Sequence, residues 1–222
     1  MAAYRIMIVD DHPLMRQGLA MTLEAERDME VTWQASSAEE ALDLMDKEKP
    51  DVAIVDISLP GMGGLELIKH WRARDADAKL LVVSRHDESL YAERAIRAGA
   101  RGYVMKLEAA DVIVTAVRRV AAGGIFVSPE INTRLLNNLA AGRSTLSDSP
   151  MDLLSDRELE VFELTGGGLS TREISDRLHL SVKTVESYRS RIKDKLNLSS
   201  ATELLQHAVH WVGGEGRSGE NQ

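Results

Sequence analysis

Cysteine is absent from the 222 residues, and aromatic side chains make up only 4% of them. Without a thiol there is neither a disulfide framework nor a cysteine-ligated zinc site, which fits a reducing compartment and makes the cytoplasm the expected location. Long hydrophobic runs are lacking too. No stretch reaches the length of a membrane span, and residues 1–11 run straight into a short apolar segment without the basic and apolar regions of a secretory leader. A protein neither exported nor membrane-embedded is expected. Positive charge is in deficit, with 27 Lys and Arg against 35 Asp and Glu and a formal net charge of -8. On its face that argues against DNA, whose affinity rests on neutralising phosphates. The distribution reverses the inference locally: Lys183, Arg189, Arg191, Lys193 and Lys195 outnumber Glu186 and Asp194 in one short stretch. Such a run is also what an ordinary solvated helix face carries.

What is present has room for two globular domains, with 44% hydrophobic and 28% charged residues in 222. Short apolar, β-branched runs at 5–9, 52–55 and 79–83 read as strands buried on both faces, with two more at about 30–35 and 102–104. Helical periodicity fills the gaps, at about 14–26, 37–47, 64–73, 89–98 and 108–121, the second opened by a capping box of Ser37 and Glu40. Strands alternating with such helices predict an α/β domain over 1–123, a doubly wound five-stranded parallel sheet. Residues 124–152 lose the pattern, apart from a short amphipathic stretch at 134–139, and read as a linker rich in small polar breakers. From 153 to 212 no strand signal remains. Capping boxes pairing Ser155 with Glu158, Ser170 with Glu173 and Ser200 with Glu203, plus Ser181 as a simple N-cap, predict a small all-α unit of four helices. Residues 213–222 are glycine-rich and polar and are expected to be a disordered tail.

In an open parallel α/β sheet, ligands bind outside the carboxyl ends of the strands. Here those ends carry Asp10 and Asp11, Asp56, Ser84 and Lys106. Each alone has a bland explanation as a turn, a cap or a solvated residue. Three carboxylates at one end of a sheet, however, raise each other's pKa unless a cation joins them. Hard oxygen donors suit Mg²⁺, and a carboxylate beside it can attack phosphorus to give an acyl phosphate, a lysine and a hydroxyl taking up charge on the phosphoryl oxygens.

The segments Val9-Asp10-Asp11-His12, Ile54-Val55-Asp56-Ile57-Ser58-Leu59-Pro60-Gly61-Met62, Ser84-Arg85-His86-Asp87, and Gly99 to Lys106 through Tyr103 resemble the flavodoxin-like receiver domain of response regulators over residues 4–122. The resemblance implies that Asp56 accepts phosphate from a sensor histidine kinase. It implies that Asp11, Asp56 and the Ser58 backbone carbonyl bind Mg²⁺, with Asp10 acting through water. Ser84 and Lys106 would contact the phosphoryl group, and Tyr103 would rotate with the switch. Two positions depart from the pattern. Leu107 stands where receivers commonly carry proline, which leaves the placement of the following loop open; Arg85 replaces a small residue and is expected to restrict the pocket mouth.

In the C-terminal part, Ile174, Leu178, Val185, Ile192 and Leu196 can pack a small core, which by itself says only helical bundle. The runs 154–161, 168–175 and 180–190 resemble the LuxR-type helix-turn-helix of the NarL/FixJ family, over residues 151–212. That resemblance implies a helix from Ser181 in the major groove, Glu186, Ser187 and Ser190 at base edges, and Lys183, Thr184, Arg189 and Arg191 along the backbone. Glu186 stands where a basic residue is often found. It either accepts from a cytosine amino group or weakens binding by repulsion. A helix over 200–212 offers Leu204, Leu205, Ala208 and Trp211 for packing, and relatives use such a helix to dimerise. A homodimer on promoter DNA is expected, with RNA polymerase as a further candidate partner.

Two other classes compete. An aspartyl-phosphate hydrolase needs a second aspartate two residues beyond the nucleophile, where Ser58 stands. A phosphate-independent receiver has no need of the full set Asp10, Asp11, Asp56, Ser84 and Lys106. His207 and His210 lack a third ligand for a metal, and Gly61 to Gly64 lacks the lysine and spacing of a P-loop. The expectation is a transcriptional regulator, not a classical enzyme, whose phosphorylation on Asp56 controls DNA binding.

Overall fold

The computed structural model describes residues 3–140 and 150–215, and the chain divides into two compact units, Met1–Thr145 and Leu146–Gln222. The first unit alternates strand and helix: β1 Tyr4–Val9, α1 Pro13–Glu24, β2 Met29–Ala35, α2 Ala38–Met45, β3 Val52–Val55, α3 Gly64–Arg74, β4 Leu80–Ser84, α4 Glu88–Ala98, β5 Gly102–Met105 and α5 Ala110–Ala121. All strand pairs are parallel, in the order β2-β1-β3-β4-β5. The reversal beside β1 is where a doubly wound sheet opens its ligand crevice.

Burial on both faces explains the continuous apolar strands: every residue of β3 and β4 is buried, including Ser84. One layer of the core joins Ile6, Ile8, Val52 and Ile54 to Leu19 and Leu23 of α1 and to Val117 and Val120 of α5. The register then places the polar strand ends. Val9 pairs with Val55, so Asp10 and Asp56 emerge side by side, and the Asp56 amide donates to the Val9 carbonyl at 2.9 Å. Ser84 pairs with Met105, and the Lys106 amide donates to the Ser84 carbonyl at 2.7 Å.

After α5 the chain is more ordered than a linker composition predicts. Phe126 forms a parallel bridge to Gly102, and α6 spans Pro129–Ala140, a longer helix than the stretch at 134–139. The linker residues 141–149 lie outside the described residues.

The second unit contains a short 3₁₀ turn at Pro150–Leu153, α7 Asp156–Gly166, α8 Thr171–Leu178, α9 Val182–Leu196 and α10 Ala201–Glu215. Leu159, Phe162, Ile174, Leu178, Val185, Ile192, Leu204 and Ala208 are its buried core, and the edge of Trp211 meets Phe162 at 5.7 Å. Leu196 is only half-buried. Reciprocal capping boxes form at Ser155 and Ser170. At Ser37 and Ser200 the glutamate reaches one residue further back: Glu40 accepts from the Ser36 amide and Glu203 from the Ser199 amide. Helices α8 and α9 both end on a left-handed residue that is not glycine, His179 and Asn197, short polar types that tolerate this conformation. Helix α10 extends three residues beyond the expected 212, and residues 216–222 of the expected tail lie outside the described residues. Among the described residues, no helix is long and apolar enough to cross a membrane.

Candidate phosphoryl-transfer pocket and nucleic-acid interface

The sheet register delivers four of the expected residues to one crevice. The Lys106 side chain, 6% exposed, bridges Asp10 Oδ2 at 2.6 Å and Asp56 Oδ2 at 2.7 Å. The other oxygen of Asp56 accepts from the Ile57 amide at 2.8 Å, and Asp10 Oδ1 accepts from the His12 amide at 2.9 Å. Asp11 lies at the rim with His12 Nδ1 at 2.6 Å. Burial pushes the Asp56 carboxyl above its ordinary value; Lys106 opposes this, the charge of Asp10 adds to it, and the rise prevails.

The donor set can be tested against a divalent cation. Asp10 Oδ2 and Asp11 Oδ1 are buried and accept no well-directed hydrogen bond, although a cationic or basic nitrogen lies 2.6 Å from each. Ligand atoms of Asp10, Asp11, His12 and Asp56 all lie within 4.8 Å of one another. Under-satisfied carboxylate oxygens at that spacing fit a hard cation such as Mg²⁺.

Around this centre the structure recruits residues to which sequence reasoning attached no role. Ser58 Oγ lies 2.8 Å from His86 Nε2, so the loop after β3 is joined to the loop after β4. The His86 amide approaches Ser84 Oγ at 3.4 Å, its carbonyl accepts from the Tyr103 hydroxyl at 2.8 Å, and its ring lies against Tyr91 of α4 at 4.5 Å. Tyr103 is therefore tucked in, 1% exposed. Arg16 donates to the Asp10 carbonyl at 2.5 Å. Gly64, at the start of α3, packs its backbone on the acceptor loop: its amide donates to the Ile57 carbonyl at 2.8 Å, and a Cβ there would overlap the Asp56 carbonyl oxygen. His86 stood in a quoted motif, yet nothing in its spacing announces these contacts. Arg85 and Leu107, the two departures from the receiver pattern, are both exposed.

In the second unit, Val185 and Ile192 anchor α9 to the core and turn its other faces outward. Lys183, Glu186, Ser187, Ser190 and Arg191 are exposed, while Thr184 and Arg189 are half-buried. The expected base-reading residues divide between two hollows. Ser187 lines one with Ser181, Lys183, Thr184, Tyr188 and Arg191. Glu186 and Ser190 line the other with Arg189, Lys193 and Thr171. Thr184 also takes part in the N-cap, its amide donating to Ser181 Oγ at 3.0 Å. Arg189 is held by Thr171 of α8 at 2.8 Å, and Arg191 lies over the Tyr188 ring at 5.9 Å. Lys195 turns inward to the buried Glu158 at 2.7 Å, which withdraws one charge from the basic stretch.

A flavodoxin-like sheet with an acidic crevice, followed by a four-helix unit that presents a basic helix, defines a two-domain signalling regulator. Comparison with known proteins agrees along the chain. The family model for the response regulator receiver domain matches residues 6–118, and that for bacterial regulatory proteins of the luxR family matches residues 152–208. The chain is 38% identical to the response regulator GacA of Pseudomonas viridiflava, covering 92% of this chain and 95% of that one. It is 35% identical to the oxygen regulatory protein NreC of Staphylococcus carnosus, covering 92% and 96%. The structure of the Salmonella typhimurium RcsB response regulator, described in terms of DNA interaction, aligns with a TM-score of 0.66 at 25% identity, covering 96% and 99%. The chain belongs to the response regulators that join a receiver domain to a LuxR-type helix-turn-helix domain. It is a transcription regulator under phosphorylation control, and its two domains imply a kinase and DNA as partners.

Proposed function

We propose that Asp56 is the phosphoryl acceptor, and the observation that carries this is Lys106 bridging Asp10 and Asp56 at the register-matched strand ends. In transfer from a sensor histidine kinase, an Asp56 carboxylate oxygen attacks phosphorus, the P–N bond of the phosphohistidine breaks, and the imidazole leaves with the bonding pair. Asp11, Asp56 and the Ser58 backbone carbonyl would hold Mg²⁺, with Asp10 acting through water, and the bound ion would supply charge neutralisation at the phosphoryl oxygens. Lys106 exchanges carboxylate for phosphoryl oxygen. The Ser84 hydroxyl donates to a second phosphoryl oxygen, and the backbone around His86, to which Tyr103 is bonded, follows it. Tyr103 is the residue through which the switch is read.

The DNA-reading element of this proposal is α9, entering the major groove with Glu186, Ser187 and Ser190 at base edges and Lys183, Thr184, Arg189 and Arg191 at phosphates. The exposure of Lys183, Glu186, Ser187, Ser190 and Arg191 on one helix supports α9 as the element that meets DNA. The protein acts in the cytoplasm, as a homodimer on promoter DNA in reach of RNA polymerase. The domains run 1–123 and 153–212, joined by the linker 124–152. The acceptor is tested by mass spectrometry after treatment with acetyl phosphate, with Mg²⁺ and with chelator. One labile adduct, Mg²⁺-dependent and lost in Asp56→Asn, is expected; undiminished labelling of that variant refutes the assignment.

A further inference from the structure

Strand β5 is last in the sheet, so its outer edge has backbone groups to satisfy. The chain beyond α5 returns to cover that edge. Phe126 donates its amide to the Arg101 carbonyl and accepts from the amide of Tyr103, both at 2.9 Å. Helix α6 begins three residues later and lies on α4. Ile131 is buried, while Leu136 and Leu139 are exposed. Arg134 makes the polar link: Nη2 donates to the Ser89 carbonyl in the first turn of α4 at 2.6 Å, and Nε lies 3.8 Å from Glu93 Oε2. Glu93 is itself nearly buried and held by Arg97 at 2.8 Å, and Arg134 Nε is buried without a hydrogen-bond partner. The clasp therefore rests on one strong bond and one long ion pair.

The same turn of α4 is reached from the pocket. From Ser84 to Ser89 the chain is short, and it is pinned midway at His86, whose carbonyl holds Tyr103 and whose ring lies on Tyr91. Because the His86 amide also donates to Ser84 Oγ, Ser84 and the start of α4 are joined through this one residue. A shift of about 1 Å takes a 2.6 Å bond out of hydrogen-bonding range.

We infer that residues 124–140 form a strap on the switch face, clasped by Arg134 while Asp56 is unphosphorylated and released when phosphate draws Ser84 inward. Release adds this segment to the tether leading to the helix-turn-helix unit, which widens the reach of two such units toward paired half-sites. The inference rests on the reading of Asp56 as acceptor.

The test uses the full chain and measures hydrogen exchange with and without acetyl phosphate and Mg²⁺. Amides of 130–140 are expected to exchange at least tenfold faster once the adduct forms. Arg134→Ala should exchange that fast without phosphate and be labelled within twofold of the wild-type rate. Unphosphorylated, it should bind DNA selected from a random pool as tightly as phosphorylated wild type does. Arg134→Lys, retaining the charge, should exchange at a rate between the two and shows that loss of the clasp, not of the fold, is being read. Absence of an adduct overturns the acceptor assignment. An adduct with unchanged exchange over 130–140 overturns the strap alone, as does Arg134→Ala with the DNA affinity of unphosphorylated wild type.

Discussion

Gly64→Ala probes the geometry of the acceptor loop directly. An added Cβ would overlap the Asp56 carbonyl oxygen and lie 2.8 Å from the Asp56 carbonyl carbon and 2.9 Å from Ile57 Cα. All three are backbone atoms, so no flexible side chain can give way. Restoring ordinary contact requires α3 and the loop to part by roughly 1.5 Å, at an overpacking cost of about 1–3 kcal/mol. In a unit of this size 1 kcal/mol corresponds to about 3–4 °C, so the melting temperature should fall by roughly 3–12 °C. The displaced group is the acceptor itself, and misplacement by about 1 Å can cost on the order of 100-fold in rate. Gly18 is the control: it is also helical, but a Cβ there meets nothing within 4 Å. Gly18→Ala should stabilise by about 0.5–1 kcal/mol through helix propensity and leave labelling unchanged. Calorimetry and the rate of acetyl phosphate labelling read both variants. Gly64→Ala with wild-type melting and labelling, or an equal loss in Gly18→Ala, would refute the close approach.

Three further outcomes are expected. Because burial holds the Asp56 carboxyl above its ordinary value of 3.8, its ionisation disfavours folding; the cost is absent below 3.8 and complete once pH has risen through the higher folded value. In the presence of chelator, Asp56→Asn should therefore melt higher than wild type at pH 8, with the gain vanishing near pH 4, and a pH-independent difference counts against this environment. Burial works to raise the Glu158 carboxyl, but bonds from Lys195 and Ser155 outweigh it and hold it low, a stabilisation present at neutral pH and lost as pH falls through the lowered value. Lys195→Met should cost the C-terminal unit about 1–2 kcal/mol near pH 7 and less toward pH 3, as read by denaturant unfolding, with the salt dependence of DNA binding unaltered. Arg189→Ala and Arg191→Ala should each flatten that salt dependence by about one unit of log–log slope while preserving base preference, whereas Glu186→Ala either relaxes preference at one base pair by about 1–3 kcal/mol or tightens binding to every sequence. Unchanged slopes for both arginines, with Glu186→Ala silent, would remove α9 as the reading element.

Much of the first unit was legible because its signals are local. Apolar runs at 52–55 and 79–83 are dry on both faces, and a carboxylate, hydroxyl or lysine directly after such a run must stand at a strand end. Ser155 and Ser170 announce their helices in the same way, since a capping box is closed within four residues. At Ser37 and Ser200 the glutamates reach one residue past the expected partner, a detail of backbone path that spacing cannot encode.

The chain's own order of residues thus determines which groups reach the crevice and which helix turns basic side chains outward, because periodicity and capping act over a few residues. What those groups touch was decided elsewhere. The ion pairs of Lys106 with Asp10 and Asp56, of Lys195 with Glu158 and of Arg134 with Glu93 join residues 37 or more apart in sequence. The contact of Gly102 with Phe126 along a sheet edge and that of Ser58 with His86 across two loops join residues at shorter separations, still far beyond a helical turn. None of these pairings has a spacing rule, because each depends on strand register and helix packing, which arise only when the whole domain closes on its core.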